Sequence, residues 1–415
     1  MAEKRYEWRE GAILDDHSRQ KHKILKEYFF QYLTVRCQIP QQTLFRLAVI
    51  DGFSGGGRYR CGAAGSPVIF LEELKRAIQS INIKRAVQGL GLVSIECLLI
   101  LNDADRDVTE LLKENLAPLL ADISENSTNL KIKTEYFSEP FEQVYPKIKE
   151  LLSKKRYRSV LFNLDQCGHS HVDRKTICDI TRSNPSAEIF YTFAIEALLA
   201  FLRKSEPQMM LTQLSSVGLE ARDLKSLEAQ MNNKTWLSIA ERLVFQAFKE
   251  CAPYVSPFSI NNPKGWKYWL IHFATSYKAR QVYNNILHDN SNAQAHYGRS
   301  GLKMLSYDPA EDGSLYLFAD ADRENAKNEL QEDIPRLISE SGDAIIVGDF
   351  YASMYNETPA HSDDVHAAII SSLEIEVITP SGGSRRKANT ITPNDILKFK
   401  SQRSLFSFPS ITIKK

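Results

Sequence analysis

The sequence has few cysteines, and none of them follow a spacing that marks a metal site or a disulfide framework. Six cysteines are scattered through 415 residues without a C-x-x-C pair. We therefore predict reduced thiols, a cytoplasmic location, and neither a disulfide frame nor a zinc site. The closest pair of histidines, His169 and His171, is interpreted as part of a loop and not as a pair of metal ligands.

The chain also lacks long apolar runs and an excess of charge of one sign. No apolar run approaches the roughly 18 residues that a bilayer requires, and the charged N-terminal residues MAEKRYEWRE are unlike a signal peptide. We therefore predict no membrane partner. The net charge of +1 excludes a basic field over the whole protein, so any contact with nucleic acid must come from local patches.

The stretch around which the rest of the chain is organised is residues 46–59, RLAVIDGFSGGGRY. Its apolar run predicts a buried parallel strand that ends at Asp51. The glycines that follow permit a sharp turn and a close approach to a ligand. No Lys-Ser/Thr pair follows them, which excludes a P-loop. Strand, glycine loop and helix in this order indicate the nucleotide-type site of a doubly wound sheet, or an ordinary strand-to-helix turn.

Strands and helices alternate along the first half of the chain. Strands are predicted at 47–51, 94–101, 130–137, 159–164 and 188–192, which indicates a parallel sheet with helices on both faces. Residues 264–275 add a sixth strand, and residues 205–260 are predicted to form a polar helical insertion. A helix over 15–35 packs beside the first strand, or alternatively places His17 and Lys21 at the rim of a ligand pocket.

Residues 325–415 form a separate unit after a connector at 291–324. Two helices followed by a hairpin with a basic tip predict a winged helix, a variant of helix-turn-helix. The cations of the hairpin tip suit phosphate contacts; they are Arg385, Arg386 and Lys387. Asp363 and Asp364, at the start of the predicted recognition helix, repel phosphates, so a winged helix that binds protein is the alternative.

Four strings of residues together resemble a known family. They are KHKILKEY at 21–28, DGFSGGGRY with GSP within 51–67, NDAD at 102–105 and NLDQCGH at 163–169. The D-x-F-x-G-x-G spacing resembles motif I of S-adenosylmethionine (SAM) dependent methyltransferases. In this order the strings are similar to the three-Cys-motif partner proteins, which are bacterial and some of which occur in phage-defence neighbourhoods.

The resemblance implies an α/β fold: a Rossmann-like SAM-methyltransferase domain over 1–290 and a winged helix at the C-terminus. It implies a SAM-dependent methyltransferase that acts on or binds nucleic acid, with a radical-SAM-like three-Cys-motif protein as a partner. The implied cofactor-binding residues are Asp51, Phe53, Gly55, Gly57, Asp103, Ser138 and Glu139. The implied acceptor-positioning residues are Asp165 and Gln166.

Two alternatives remain open at this point. The family usually has D-P-F/Y-G where this chain has Asp165-Gln166-Cys167-Gly168. This difference favours a catalytically inactive module that binds SAM, a nucleotide or DNA for its partner. A nuclease or hydrolase is the other alternative, because Asp51, Asp103 and Asp165 all follow predicted strands, where sites form and where they would bind a metal.

Overall fold

The structure is a computed structural model, and its N-terminal half is a sheet with helices on both faces. It describes residues 7–202, 209, 214–220, 236–261, 267–290, 294–297, 315–316 and 320–400. Five strands run parallel in the order β3-β2-β1-β4-β5. They are β1 (Leu44–Asp51), β2 (Ser94–Asn102), β3 (Leu130–Phe137), β4 (Ser159–Leu164) and β5 (Ser186–Phe193).

Helices precede β1 and connect the parallel strands. They are α1 (Asp16–Arg36), α2 (Ser66–Val87), α3 (Arg106–Asn126), α4 (Phe141–Lys155) and α5 (Arg174–Ser183). Alternate residues of β1 belong to two separate apolar cores: Leu47 and Val49 pack with α1 and α2, whereas Ala48 and Ile50 pack with α4. Because successive side chains of a strand point to opposite faces, both faces of the sheet are covered, as predicted.

The sheet continues beyond β5 with strands of mixed direction. The next elements are α6 (Ile195–Leu202), α7 (Trp236–Lys249), β6 (Tyr254–Asn261), β7 (Lys267–Ala274) and α8 (Tyr277–Asp289). Strand β7 lies between β5 and β6 and runs antiparallel to both. The short strands β8 (Gln294–Tyr297) and β9 (Leu315–Tyr316) extend the β6 edge.

Two sequence predictions for this region need correction. Residues 254–260 were predicted as helix but belong to β6, where Val255, Phe258 and Ile260 are buried. The predicted sixth strand is confirmed over Lys267–Ala274, although its antiparallel direction does not follow from the sequence pattern. Of the predicted helical insertion at 205–260, residues 205–208, 210–213 and 221–235 lie outside the described residues.

The C-terminal unit has the element order of a winged helix. Its elements are α9 (Asp320–Glu340), β10 (Ala344–Ile346), α10 (Val347–Met354), α11 (Ser362–Ser371), β11 (Ile375–Ile378) and β12 (Ile396–Phe399). The strands form an antiparallel sheet in the order β10-β12-β11. This unit has its own apolar core, in which Leu330, Phe350, Val365 and Leu397 are fully buried. Helix α9 begins at Asp320, five residues before the predicted boundary.

Polar side chains on α8 bind the segment of the winged helix that precedes α11. Asn284 Nδ2 donates to the carbonyl oxygens of Thr358 (2.9 Å) and Ala360 (3.3 Å). Gln281 Nε2 donates to the hydroxyl of Tyr355 at 2.9 Å, and Asn285 Nδ2 donates to Ser362 Oγ at 2.8 Å. These contacts join the winged helix to the α/β unit through buried hydrogen bonds.

Candidate functional site

The glycine loop, residues 52–57, is held across the carboxyl ends of three strands. The Gly52 N–H donates to the Asn163 carbonyl oxygen on β4, and the Ser54 N–H donates to the Asn102 carbonyl oxygen on β2, both at 2.9 Å. Gly55 and Gly57 have φ of +59° and +81°, a region that favours glycine. Strand order reverses between β1 and β4, and the loop therefore lies at the switch point where open α/β sheets bind ligands.

Asp51 ends β1 beneath this loop and is completely buried. Its Oδ1 accepts from Asn163 Nδ2 at 3.1 Å, whereas its Oδ2 has no hydrogen-bond partner among the described residues. Burial raises the pKa of Asp51 to about 7. A buried carboxylate oxygen without a partner is costly, and it would be satisfied by a hydrogen-bond donor or a cation.

Asp103 lies at the end of β2 and faces the same loop. Its Oδ2 accepts from the Gly55 N–H at 3.1 Å and its Oδ1 from the Asp105 N–H at 3.0 Å. Burial raises the pKa of this carboxyl group. Asp105 has the separate role of capping α3, since its side chain accepts from the Asp107 N–H. The structure therefore places Asp103, and not Asp105, against the glycine loop.

Two asparagines hold the loop, the buried Asn102 and the half-buried Asn115, and the sequence did not predict these roles. Asn102 Nδ2 donates to the carbonyl oxygens of Gly52 and Glu139, both at 3.0 Å. Asn115 Nδ2, on α3, donates to the Gly56 carbonyl oxygen at 2.7 Å. The one available signal was the polar residue that interrupts an apolar strand near its carboxyl end, at Asn102 and again at Asn163.

The remaining predicted cofactor residues lie around the same edge of the sheet. Phe53 packs against Phe141, with ring centroids 5.9 Å apart. Ser138 and Glu139 follow β3 and are half-buried. The Glu139 backbone is held by Asn102, and its carboxylate accepts from Lys147 Nζ at 2.5 Å. The carboxylate is thus already engaged in an ion pair.

A partly buried ion pair lies on the β4 side of the switch point. Lys21 Nζ, on α1, donates to Asp165 Oδ1. Burial alone would raise the pKa of Asp165, but the Lys21 ammonium outweighs burial and lowers this pKa. Both side chains line a narrow cleft together with His22 and Thr192. Burial lowers the pKa of His22 to about 4, so its imidazole is neutral at pH 7.

The Gln166 side chain holds the loop that follows β4 through hydrogen bonds. Its Nε2 donates to the Tyr191 hydroxyl at 2.7 Å, and its Oε1 accepts from the backbone N–H groups of His171 (2.9 Å) and Val172 (3.2 Å). Donor and acceptor groups of this amide are therefore used inside the protein. His171 also packs near Phe53, with ring centroids 6.3 Å apart.

The carboxylates of the strand ends do not form a metal centre in the structure. Among the described residues, no three His, Cys, Asp or Glu side chains lie close enough together to hold a metal ion. Asp51, Asp103 and Asp165 all belong to the described part of the chain. Their positions therefore give the nuclease alternative no geometric support.

The tip of the winged helix, residues 379–395, uses one of its predicted cations internally. Arg385 forms two hydrogen bonds to the buried carboxylate of Asp395, at 3.0 and 3.2 Å. Arg386 and Lys387 are exposed. At the start of α11, Asp364 is paired with Arg323, whereas Asp363 is exposed.

Comparison with known proteins identifies this C-terminal unit. Residues 306–382 match the GMT-like wHTH domain. The match runs from before α9 into the tip that follows β11, and it therefore covers α9, β10, α10, α11 and β11. It supports the winged-helix prediction and a capacity to bind DNA. Comparison with curated proteins finds no match for this chain.

Within the residues that the structure describes, no helix is both long enough and apolar enough to cross a membrane.

Proposed function

We propose that the α/β unit binds SAM at the glycine loop, and that the protein is a SAM-dependent methyltransferase that acts on nucleic acid. The observation that carries the proposal is the pair of carboxyl groups at the ends of adjacent strands beside the glycine loop: Asp51, which is fully buried, and Asp103, which is half-buried. Carboxyl groups with raised pKa values in such a position are typical of functional sites.

The charge of this site favours SAM over a dinucleotide. Pyrophosphate binds where backbone N–H groups and cations point at it. Here the Gly55 N–H is already bound by Asp103, and the side chains that hydrogen-bond to the loop are carboxylate and amide groups. SAM instead presents an ammonium, a sulfonium and ribose hydroxyl groups. Asp51 Oδ2 would accept from a cationic group, and Asp103 would accept from the ribose.

The sheet supports the same proposal. Its order through β5 is that of doubly wound nucleotide-binding sheets. Fold alone does not fix an activity, and the proposal therefore rests on the carboxylates.

The cofactor, when bound, supplies an activated methyl group, and the chain supplies position. Asp165 and its Lys21 partner lie on the β4 side of the switch point, and are the groups that would orient the methyl acceptor. A neutral His22 in the same cleft can accept a hydrogen bond from an N–H or O–H group. The contribution of the protein is thus mainly proximity and orientation.

The winged helix would bring the nucleic acid to this site. The match to a wHTH domain supports DNA binding, and the exposed Arg386 and Lys387 are the cations suited to phosphate contacts. A three-Cys-motif partner, a role in phage defence and a cytoplasmic location stay predictions from the sequence and its resemblance.

Equilibrium dialysis with labelled SAM tests the proposal. We expect saturable binding by the wild type and a loss of about tenfold or more in Asp103→Ala, because a charged hydrogen-bond acceptor is removed. Asp122→Ala is the matched control, since Asp122 is a surface carboxylate paired with Lys75. Equal affinity in wild type and Asp103→Ala would remove Asp103 from the site.

A binding module without turnover is the second candidate. The Gln166 amide is occupied by Tyr191 and by two backbone N–H groups, and this favours a structural role where a methyltransferase needs an acceptor-positioning group. Transfer of labelled methyl groups from SAM to DNA, RNA or protein would exclude this candidate.

A further inference from the structure

The N-terminal segment covers the glycine loop. Its short 3₁₀ turn, Trp8–Glu10, places the Trp8 indole directly over Gly55 and Gly56. A Cβ atom added to Gly55 would lie 2.2 Å from this ring, and one added to Gly56 would lie 2.9 Å from it. The space that these glycines leave open is thus filled by an aromatic side chain of the same chain.

The segment crosses the groove between the loop and α3. Arg9 pairs with Asp107 in the first turn of α3, and the Arg60 N–H donates to the Ala12 carbonyl oxygen at 2.9 Å. Asp103 holds the Gly55 N–H and precedes the same turn of α3. A ligand that contacted both Asp103 and the loop would therefore meet Trp8.

Aromatic rings continue this cover toward the cleft beside β4. The Trp8 and Tyr59 ring centroids are 5.0 Å apart, and those of Tyr59 and His22 are 5.7 Å apart. His22 lines the cleft that holds Lys21 and Asp165. The three rings therefore extend from the β2 side of the switch point to its β4 side.

We propose that residues 7–12 are a gate over the glycine loop, and that a ligand binds there only when Trp8 moves away. The inference rests on the proposed SAM site. When the gate is closed, the Trp8 indole occupies the ligand-facing side of the loop, and the protein is autoinhibited.

The contacts at the tip of the gate are exposed, whereas Ala12 at its base is buried. None of the residues Trp8–Glu10 is buried, and the Arg9 and Asp107 side chains are 67% and 59% exposed. An exposed pair of this kind contributes little to stability. A closed gate lowers the apparent affinity in proportion to the fraction of molecules that are open.

Calorimetric titration with S-adenosylhomocysteine tests the gate in four proteins: wild type, Trp8→Ala, Trp8→Phe and Ile13→Ala. We expect Trp8→Ala to bind about tenfold more tightly than wild type, because it removes the competing ring. Trp8→Phe keeps a ring on the loop and should bind like wild type. Ile13→Ala is the matched control, since Ile13 lies in the same segment and is 68% exposed.

The outcomes separate the gate from the site. Equal affinity in wild type and Trp8→Ala would overturn the gate and leave the SAM site standing. Weaker binding in Trp8→Ala would also overturn it, because Trp8 would then be part of the binding surface. Absence of binding in all four proteins would overturn the SAM site and the gate with it.

Hydrogen exchange in the wild type provides a second measurement that needs no variant. The gate predicts faster amide exchange in residues 7–12 when S-adenosylhomocysteine is saturating, because the segment is displaced. Unchanged or slower exchange in these residues, with ligand bound, would contradict it.

Discussion

The pKa values of Asp51 and Asp103 are raised, whereas those of carboxylates in surface ion pairs are lowered. Lysine partners lower the pKa values of Glu110 and Asp122, as is usual for exposed ion pairs. Burial raises the pKa values of Asp51 and Asp103. A buried and a half-buried carboxyl group with raised pKa values beside one loop cost stability, and we attribute that cost to ligand binding.

The pH dependence of stability should report Asp51. Its pKa is about 7 in the folded protein, against an ordinary value of 3.8 for an aspartate side chain, so the folded state binds the proton more tightly. The stabilisation that the folded protein gains from the protonated Asp51 is fully present below about pH 4 and is lost as the pH rises to about 7. Urea unfolding of Asp51→Asn should therefore give a free energy about 1–4 kcal/mol above wild type at pH 8.

The same comparison should show no such gain near pH 4, where both side chains are neutral. Parallel curves for wild type and Asp51→Asn from pH 4 to pH 8 would show that Asp51 is ionised at all these pH values in the folded protein.

Contact between Trp8 and Gly55 predicts an energetic coupling. Gly55→Ala adds a Cβ atom that collides with the Trp8 ring and also strains a backbone with φ of +59°. In a Trp8→Ala background only the strain remains. Urea unfolding should therefore give a cost for Gly55→Ala that is about 1 kcal/mol or more larger when Trp8 is present.

Gly62→Ala is the control for this cycle. Gly62 has φ of +78°, and no described atom lies within 4 Å of the position of its Cβ. Its replacement should cost about 1 kcal/mol of strain in both backgrounds. A cost of Gly55→Ala that is likewise the same in both backgrounds would argue against the contact.

At the scale of elements, the predicted strands at 130–137 and 159–164 match β3 and β4 to the residue. Each is a continuous apolar or amphipathic stretch between polar residues, which is the signal that sequence periodicity carries best. Strand β6 was missed because Pro257 and two serines interrupt its apolar pattern. The antiparallel direction of β7 was missed because periodicity does not encode strand direction.

Helix α8 predicts a stabilising substitution. Arg280 is fully buried, its Nε and Nη1 have no partner in the described residues, and burial lowers its pKa to about 9. Its Nη2 donates a long hydrogen bond of 3.3 Å to the Thr358 carbonyl oxygen, and its guanidinium carbon lies 5.7 Å from the centroid of the Phe258 ring. Arg280→Met should therefore raise the free energy of unfolding by about 1–4 kcal/mol.

Asn284→Ala is the comparison on the same helix. It removes the donor to the Thr358 and Ala360 carbonyl oxygens, and should lower the free energy of unfolding by about 1–3 kcal/mol. If Arg280→Met instead destabilised the protein as much as Asn284→Ala, the Arg280 charge would have a stabilising partner.

For the whole molecule, charge is distributed unevenly over the winged helix. Acidic residues greatly outnumber basic ones from 320 to 376, whereas the charged residues within 384–400 are mostly basic. The exposed residues of α11 include Asp363, Ala367 and Ser371. We therefore expect contact with DNA to depend mainly on the tip of the hairpin. Helix α11 corresponds to the recognition helix that lies in the major groove in helix-turn-helix proteins, and we expect it to contribute little here.

Salt dependence of DNA binding tests this orientation. Fluorescence anisotropy with a labelled duplex should show weaker binding for Arg386→Ala and Lys387→Ala, and a logarithmic salt slope lower by about one for each lost phosphate contact. Lys113→Ala, on α3 and paired with Glu110, should bind like wild type. An unchanged slope in both tip variants would place the DNA elsewhere.

The candidate site could be predicted in part from the sequence. Asp51, the glycines and Asp103 follow a recognisable spacing along the chain. Three contacts of the site could not be predicted, because each joins segments more than 40 residues apart. They are Trp8 with Gly55, Asn163 with Asp51, and Lys21 with Asp165. Only the folded chain shows that the glycines face the protein's own N-terminus.

We propose that the carboxylates at the switch point, the buried Asp51 and the half-buried Asp103, select a cationic, hydroxyl-rich ligand over a phosphorylated one. Isothermal titration of the full chain with SAM, and separately with ATP and NAD, distinguishes these ligands. We expect heat and saturation with SAM and none with ATP or NAD. Binding of ATP or NAD without binding of SAM would show that the carboxylates do not select the ligand in this way.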